Sequence, residues 1–280
     1  MRALVTGGAG FVGTNLIKRL LKDGHYVISY DNYSTGFKQN EQEGCSYYDI
    51  DIRNPIDLPK VDVIFHMAAL ARIQPSIKNP VKCLENNFNG TLNVLEYARN
   101  NNTPVIYAGS SSKHHGLHGS PYAWSKYSGE QLCKLYSEVY GLNTSICRFY
   151  NVYGPHHIRT GNYATVLGIF ENQYLNNELL TITGDGEQRR DFTHIDDIVD
   201  GLIRCVGKKH KAEDFELGSG VNYSINEIAE LFNRETKYIP ARPGEYDVTL
   251  CNYSKAKENL GYEPKGNIKT YVKKWLEENK

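Results

Sequence analysis

Apolar residues fall into two alternating patterns along the chain. Short continuous or β-branched runs at residues 2–5, 26–30, 61–66, 105–108 and 144–148 read as strands. Between them, apolar positions return every three or four residues, as an amphipathic helix requires. The first helical stretch, about residues 12–22, sets Leu16, Ile17, Leu20 and Leu21 on one stripe and stops at Gly24. Two longer helices are expected over about 80–101 and 122–140. This alternation predicts an α/β fold, a doubly wound parallel sheet with helices on both faces. After about residue 153 the elements shorten, so we expect one domain over 1–153 and a smaller α/β region over 154–280, with about 190–206 returning to the first. In that second region Ser224-Ile-Asn-Glu227 matches a capping box ahead of 228–232, and 240–244 reads as a loop.

Composition narrows the classes of function. The chain has 280 residues, with 32 Lys+Arg against 32 Asp+Glu, and this balance offers no global field for nucleic acid or an anionic membrane. An anionic ligand must therefore meet a local site. Six cysteines are scattered without a CxxC pair, which fits free thiols in a reducing compartment. With no apolar run of membrane-spanning length and no leader-like start, the expectation is a soluble, cytoplasmic protein.

Between the first strand and first helix lies Thr6-Gly7-Gly8-Ala9-Gly10-Phe11-Val12-Gly13. Glycines there let backbone approach a pyrophosphate and let the helix N-terminus face it. Asp31 ends the second strand 18 residues beyond Gly13, where its carboxylate is placed to accept from ribose hydroxyls. It would repel a 2′-phosphate, which favours NAD over NADP. The lesser alternative is a strand-end Asp that caps its own loop.

Tyr122 and Lys126 stand four residues apart and so share a helix face. A free tyrosine titrates near 10, and lowering it by about 3 units needs about 4 kcal/mol of differential stabilisation. The Lys126 ammonium and a positively charged nicotinamide are the expected sources. Ser110, Ser111 and Ser112 follow the fourth predicted strand. His114, His115 and His118 share their glycine-rich loop without an acidic or cysteine neighbour, so they read as loop or packing residues and no metal is expected.

With these features the chain resembles the extended short-chain dehydrogenase/reductases of the nucleotide-sugar epimerase/dehydratase kind, closest to the UDP-glucose 4-epimerases. Further markers are Asp51-Ile-Arg53, His66-Met-Ala-Ala69, Asn87-Phe-Asn-Gly-Thr91, Arg148-Phe-Tyr-Asn-Val-Tyr-Gly-Pro155, the run from Gly184 to Asp197, and Arg242-Pro-Gly244. The resemblance implies a Rossmann-like NAD-binding domain followed by a smaller substrate-binding region. It implies cofactor contacts from Gly7, Gly10, Phe11, Val12, Gly13, Asp31, Asn32, Asp51, Ile52, Ala68, Ala69, Asn87, Tyr122, Lys126 and Phe149. It gives catalytic roles to Ser111, Tyr122 and Lys126. Ser112, Lys113, Asn151, Arg190, Arg242 and Thr249 fall on the substrate side, the two arginines suiting a diphosphate through their forked donors. His66 is implied as a packing residue.

The resemblance also implies a first step in which the tyrosine takes a hydroxyl proton while hydride leaves sugar C4 for NAD, giving a 4-keto sugar. Similar dehydratases carry an acidic pair directly after the active-site Ser or Thr. Here Ser112 and Lys113 occupy those positions, so the expectation is 4-epimerisation of a UDP-hexose or its N-acetyl counterpart. A 4,6-dehydratase or reductase, and a non-catalytic NAD-binding regulator, stand as alternatives. The small Thr249 lies where a bulky family tyrosine excludes N-acetyl groups. The chain departs from the family in having His114-His115 in place of a Val-Tyr-like pair, and its step from Ser111 to Tyr122 is about half the usual length. A homodimer through the two long helices is expected.

Overall fold

The computed structural model describes residues 1–279. Its strands are β1 (Arg2–Thr6), β2 (Tyr26–Asp31), β3 (Cys45–Asp49), β4 (Val63–His66), β5 (Val105–Ser110), β6 (Thr144–Phe149), β7 (Asn151–Tyr153), β8 (Leu180–Thr183), β9 (Arg189–His194), β10 (Glu213–Leu217), β11 (Asn222–Ser224) and β12 (Thr236–Ile239). Its α-helices are α1 (Phe11–Lys22), α2 (Ile73–Lys78), α3 (Pro80–Leu84), α4 (Gly90–Asn101), α5 (Pro121–Tyr140), α6 (Val166–Leu175), α7 (Ile195–Arg204), α8 (Ile225–Glu230), α9 (Ser254–Leu260) and α10 (Ile268–Glu278). Among the described residues no helix is long and apolar enough to cross a membrane.

Seven strands form one parallel sheet in the order β10-β6-β5-β4-β1-β2-β3. Successive side chains of β1 serve opposite faces, as strand geometry dictates. Ala3 and Val5 join Leu16 and Leu20 of α1 and Ile198 and Leu202 of α7 in one core, while Leu4 joins Leu95 of α4 and Tyr136 of α5 in the other. The chain builds outward from β1 through β2 to β3, then returns to the far side of β1 with β4. That reversal opens a crevice at the carboxyl ends of β1 and β4, the usual ligand position in such sheets.

The five inner strands coincide with the five expected from sequence. The two outer strands, β3 and β10, were not foreseen, and β10 lies outside the expected 190–206 return. The expected helix over 80–101 is interrupted: α3 passes through a π turn at Glu85–Asn89 before α4. That wider turn carries Asn87, whose amide donates to Ser125 Oγ at 2.9 Å and whose carbonyl accepts from Leu70 N–H at 2.8 Å. The smaller region contains the sheet β11-β9-β7, the pair β12-β8, and a core around Phe170, Phe232 and Trp275. The Ser224–Glu227 capping box is present and opens α8.

Helix α5 begins with Ser120 capping the Ala123 N–H and Pro121 in the first turn, and ends at left-handed Gly141. It lies so close to β5 that a Cβ on Gly129 would stand 2.2 Å from the Tyr107 hydroxyl. Tyr107 is itself held there, donating to the Lys126 carbonyl at 3.1 Å. Gly129→Ala is therefore expected to lose about 1–3 kcal/mol through overpacking, despite alanine's better helix propensity. Urea unfolding should show Tyr107→Phe recovering part of that loss. An equal loss in both backgrounds would locate the strain elsewhere.

Candidate active site

The crevice is a cavity of about 500 Å³ lined from both parts of the chain. One end is the glycine turn. Gly7 has φ +72°, a conformation that favours glycine, and a Cβ on Gly13 would lie 2.1 Å from the Gly7 carbonyl oxygen. The turn can therefore close only without side chains at these positions. Gly10 caps α1 without any side-chain bond, so the first N–H groups of that helix remain for a ligand. Asp31 accepts from the Ala9 N–H at 2.9 Å and the Tyr33 N–H at 2.8 Å, and burial pushes its carboxyl above the usual range. It braces the glycine turn and lines the cavity, so the loop-capping and ligand-facing readings coexist.

Among the cofactor residues expected from sequence, Gly7, Gly10, Phe11, Val12, Gly13, Asp31, Asn32, Ile52, Ala68, Ala69 and Phe149 line the cavity with Tyr122. Asp51, Asn87 and Lys126 do not line it. Asp51 accepts from the Asn32 amide at 3.1 Å and pairs with Arg53, whose hydrogen bonds hold its carboxyl down at about 2. His66 lies under the glycine turn between Thr6 Oγ1 at 2.7 Å and Thr91 Oγ1 at 3.0 Å, and burial followed by the Lys126 charge lowers it to about 3. Its fully bonded, neutral ring is a framework element.

Tyr122 is fixed by its backbone, which donates to Ser76 Oγ at 3.2 Å. Its hydroxyl reaches Ser110 Oγ at 3.4 Å, so Ser110 is the serine within reach of the tyrosine, while Ser111 and Ser112 line the same wall. Sequence reasoning passed over Ser110 because counting along a motif does not say which hydroxyl turns toward the helix. Burial raises the Tyr122 phenol above 10, and the Ser110 bond and the Arg72 guanidinium pull it back. Arg72 had no sequence signal. Lys126 packs its ammonium 4.4 Å from the centre of the Tyr107 ring, and burial depresses it to about 8.

Of the expected substrate-side residues, Ser112, Asn151, Arg190, Arg242 and Thr249 line the cavity. Lys113 does not; its charge acts on Asp214. Thr249 Oγ1 accepts from the Asp191 N–H at 3.0 Å, leaving little of its small side chain exposed. His114 meets Glu216 at 2.8 Å, and His115 stacks on Tyr246 with ring centres 4.5 Å apart.

Residues 3–218 match the NAD dependent epimerase/dehydratase family, and the chain belongs to that family. It is 33% identical over 304 residues to a putative UDP-glucose 4-epimerase of Methanocaldococcus jannaschii, covering 99% of this chain and 98% of that one. It is likewise 33% identical to a UDP-glucuronate 4-epimerase of Thermodesulfobacterium geofontis, covering 99% and 96%. The crystal structure of Thermotoga maritima UDP-glucose 4-epimerase with UDP-glucose superposes with a TM-score of 0.91 at 29% identity, covering all of both chains.

The depressed lysine gives a stability test. An unfolded lysine keeps its proton to near 10.4, whereas folded Lys126 releases it at about 8, so between these values the unfolded chain binds more protons. The parent should accordingly gain unfolding free energy relative to Lys126→Met from pH 8 to pH 10. A difference that stays flat in urea titrations across that window would mean an ordinary, solvated lysine.

Proposed function

We propose that the protein is a nucleotide-sugar 4-epimerase acting on a UDP-hexose, with NAD held along the glycine turn and Asp31. The observation that carries this reading is the pairing of Tyr122 with Ser110 on a wall where residues 111–113 supply no acid. Elimination of water would call for such a proton donor. Bound along the glycine turn, NAD would supply a reversible hydride acceptor for sugar C4. Tyr122 takes the proton from the C4 hydroxyl and returns it to the C4 oxygen once the 4-keto sugar has turned its other face to the hydride. Ser111 faces the sugar, and Ser110 orients the phenol; their contacts tighten on substrate, as catalytic hydrogen bonds commonly do. Arg190 and Arg242 hold the diphosphate, Asn151 contacts the sugar nucleotide, and the small Thr249 leaves room for an N-acetyl group.

Incubation with UDP-glucose or UDP-N-acetylglucosamine, read by proton NMR, should give the C4 epimer with no net NADH and no solvent deuterium at C4. Tyr122→Phe should lower kcat by about 10²- to 10⁴-fold while NAD binding persists. Accumulating 4-keto product would assign a dehydratase, and net NADH a reductase. A Tyr122→Phe protein fully competent in the parent's biological role would assign a regulator.

We further infer a cytoplasmic homodimer. All six thiols are free, which suits a reducing compartment. Val81 of α3 and Trp124, Leu135 and Val139 of α5 are 64, 41, 49 and 60% exposed, an apolar set on the long-helix side of the sheet. Sedimentation should give twice the 31.8 kDa chain mass for the parent and a monomer for Leu135→Lys/Val139→Glu. A monomeric parent would remove the inference.

A further inference from the structure

One cation on the cavity wall has been given no ligand group in the reaction just described. Arg72 lies between β4 and α2 and lines the cavity. Its Nε donates to the Tyr163 carbonyl at 3.0 Å and its Nη1 to the Ala71 carbonyl at 3.1 Å. Both acceptors are uncharged, and among the described residues no carboxylate forms an ion pair with it. The buried arginines differ from this half-buried one. Arg148 is shared by Glu130, Asp214 and Glu216, and Arg190 has Glu245 at 3.9 Å. Two carbonyls thus fix the Arg72 fork while its charge stays uncompensated, and burial presses the guanidinium toward its neutral form. Such a charge is costly to desolvate unless an anion arrives to pair with it.

Its place along the cavity says which part of a ligand it meets. The Arg72 carbonyl accepts from Ser76 N–H at 3.4 Å, and Ser76 Oγ in turn holds the Tyr122 backbone. Arg72 and Tyr122 therefore share one frame, and the guanidinium favours the ionised phenol. In a hexose bound with C4 at Tyr122, the exocyclic carbon on C5 is the next but one to C4. A carboxylate there is the anion nearest the reacting centre. The diphosphate is the rival, because Gln74 of α2 donates to the Pro243 carbonyl at 2.7 Å, beside Arg242.

We propose that Arg72 is a specificity residue that selects a nucleotide sugar whose hexose carries a C5 carboxylate, a hexuronate, by pairing its guanidinium with that group. The proposal rests on the epimerase reading in one respect, that C4 stands at Tyr122. A forked guanidinium meets a carboxylate through two parallel N–H donors, which a neutral hydroxymethyl group does not reproduce.

Calorimetric titration of the NAD-loaded protein with UDP-glucuronate and UDP-glucose tests it. The parent is expected to bind the uronate at least about tenfold more tightly, the order of a charge-assisted hydrogen bond. In Arg72→Ala and in the volume-conserving Arg72→Met, the ratio of the two affinities should fall to near one, and Arg72→Lys should restore part of it. NAD binding and the melting temperature of each variant report whether it has folded. A parent without preference for the uronate overturns the proposal whatever the variants do. Equal weakening of both ligands in Arg72→Ala and Arg72→Met also overturns it, since a diphosphate contact would do that. NMR of the products separates the two readings. Selective uronate binding with a product other than the C4 epimer removes the epimerase and leaves Arg72 in its role. C4 epimerisation of UDP-glucose by a parent indifferent to the uronate does the reverse.

Discussion

The Arg190 and Thr249 wall of the cavity depends on one buried carboxylate. Asp191 is fully enclosed and accepts from the N–H groups of Ser219, Gly220 and Cys251 and from the hydroxyls of Ser219 and Thr193. An anion removed from water must be met by donors, and these come from three separate stretches of chain. Satisfying Asp191 pulls β9, the turn after β10 and the segment around residue 250 together. Arg190 and Thr249 are fixed as a result, because one precedes Asp191 in β9 and the other accepts its backbone N–H. Asp191 lies inside the run from Gly184 to Asp197, yet nothing in that run distinguishes a structural carboxylate from a ligand-facing one.

The glycine-turn end rests on a different constraint, the near-contact of Gly7, Gly13 and Ala68. A Cβ on Gly7 would lie 2.8 Å from the Ala68 backbone, so the turn after β1 and the turn after β4 meet only because one of them lacks a side chain. Thr6, His66 and Thr91 then bond in series beneath this junction. The carboxyl end of the sheet is thus tightly packed and fully bonded at the glycine turn.

How far these constraints could be read from sequence varied with their physical cause. The inner strands are buried on both faces, so their continuous apolar runs stand out. Strand β3 reads Cys-Ser-Tyr-Tyr-Asp and β10 reads Glu-Asp-Phe-Glu-Leu; as edge strands they need not be apolar on both faces and leave little periodic signal. The π turn before α4 preserves the apolar spacing on either side, and only the backbone reveals it. Glycine spacing identified the turn because a steric rule fixes residue type there. The choice between Ser110 and Ser111 is set by rotation at a strand end, and the position of Arg72 by tertiary packing, which no local pattern encodes.

The shortened rim joins the two halves. Gly119 lies close enough that a Cβ on Gly244 would stand 3.2 Å from its carbonyl oxygen, His115 stacks on Tyr246, and Gln74 holds Pro243. The segment carrying Arg242 and Thr249 is consequently fastened to the segment carrying the serines. The rim also sorts the cations. Arg148 lies beneath it, neutralised by three carboxylates and closed to ligands, whereas Arg72 and Arg242 face the cavity without an acidic partner among the described residues. Asp31 stands at the glycine-turn end, a carboxylate suited to hydroxyls. A ligand completing this balance carries hydroxyls toward Asp31 and negative charge toward the arginines, which is the charge order of a dinucleotide ribose followed by an anionic sugar nucleotide.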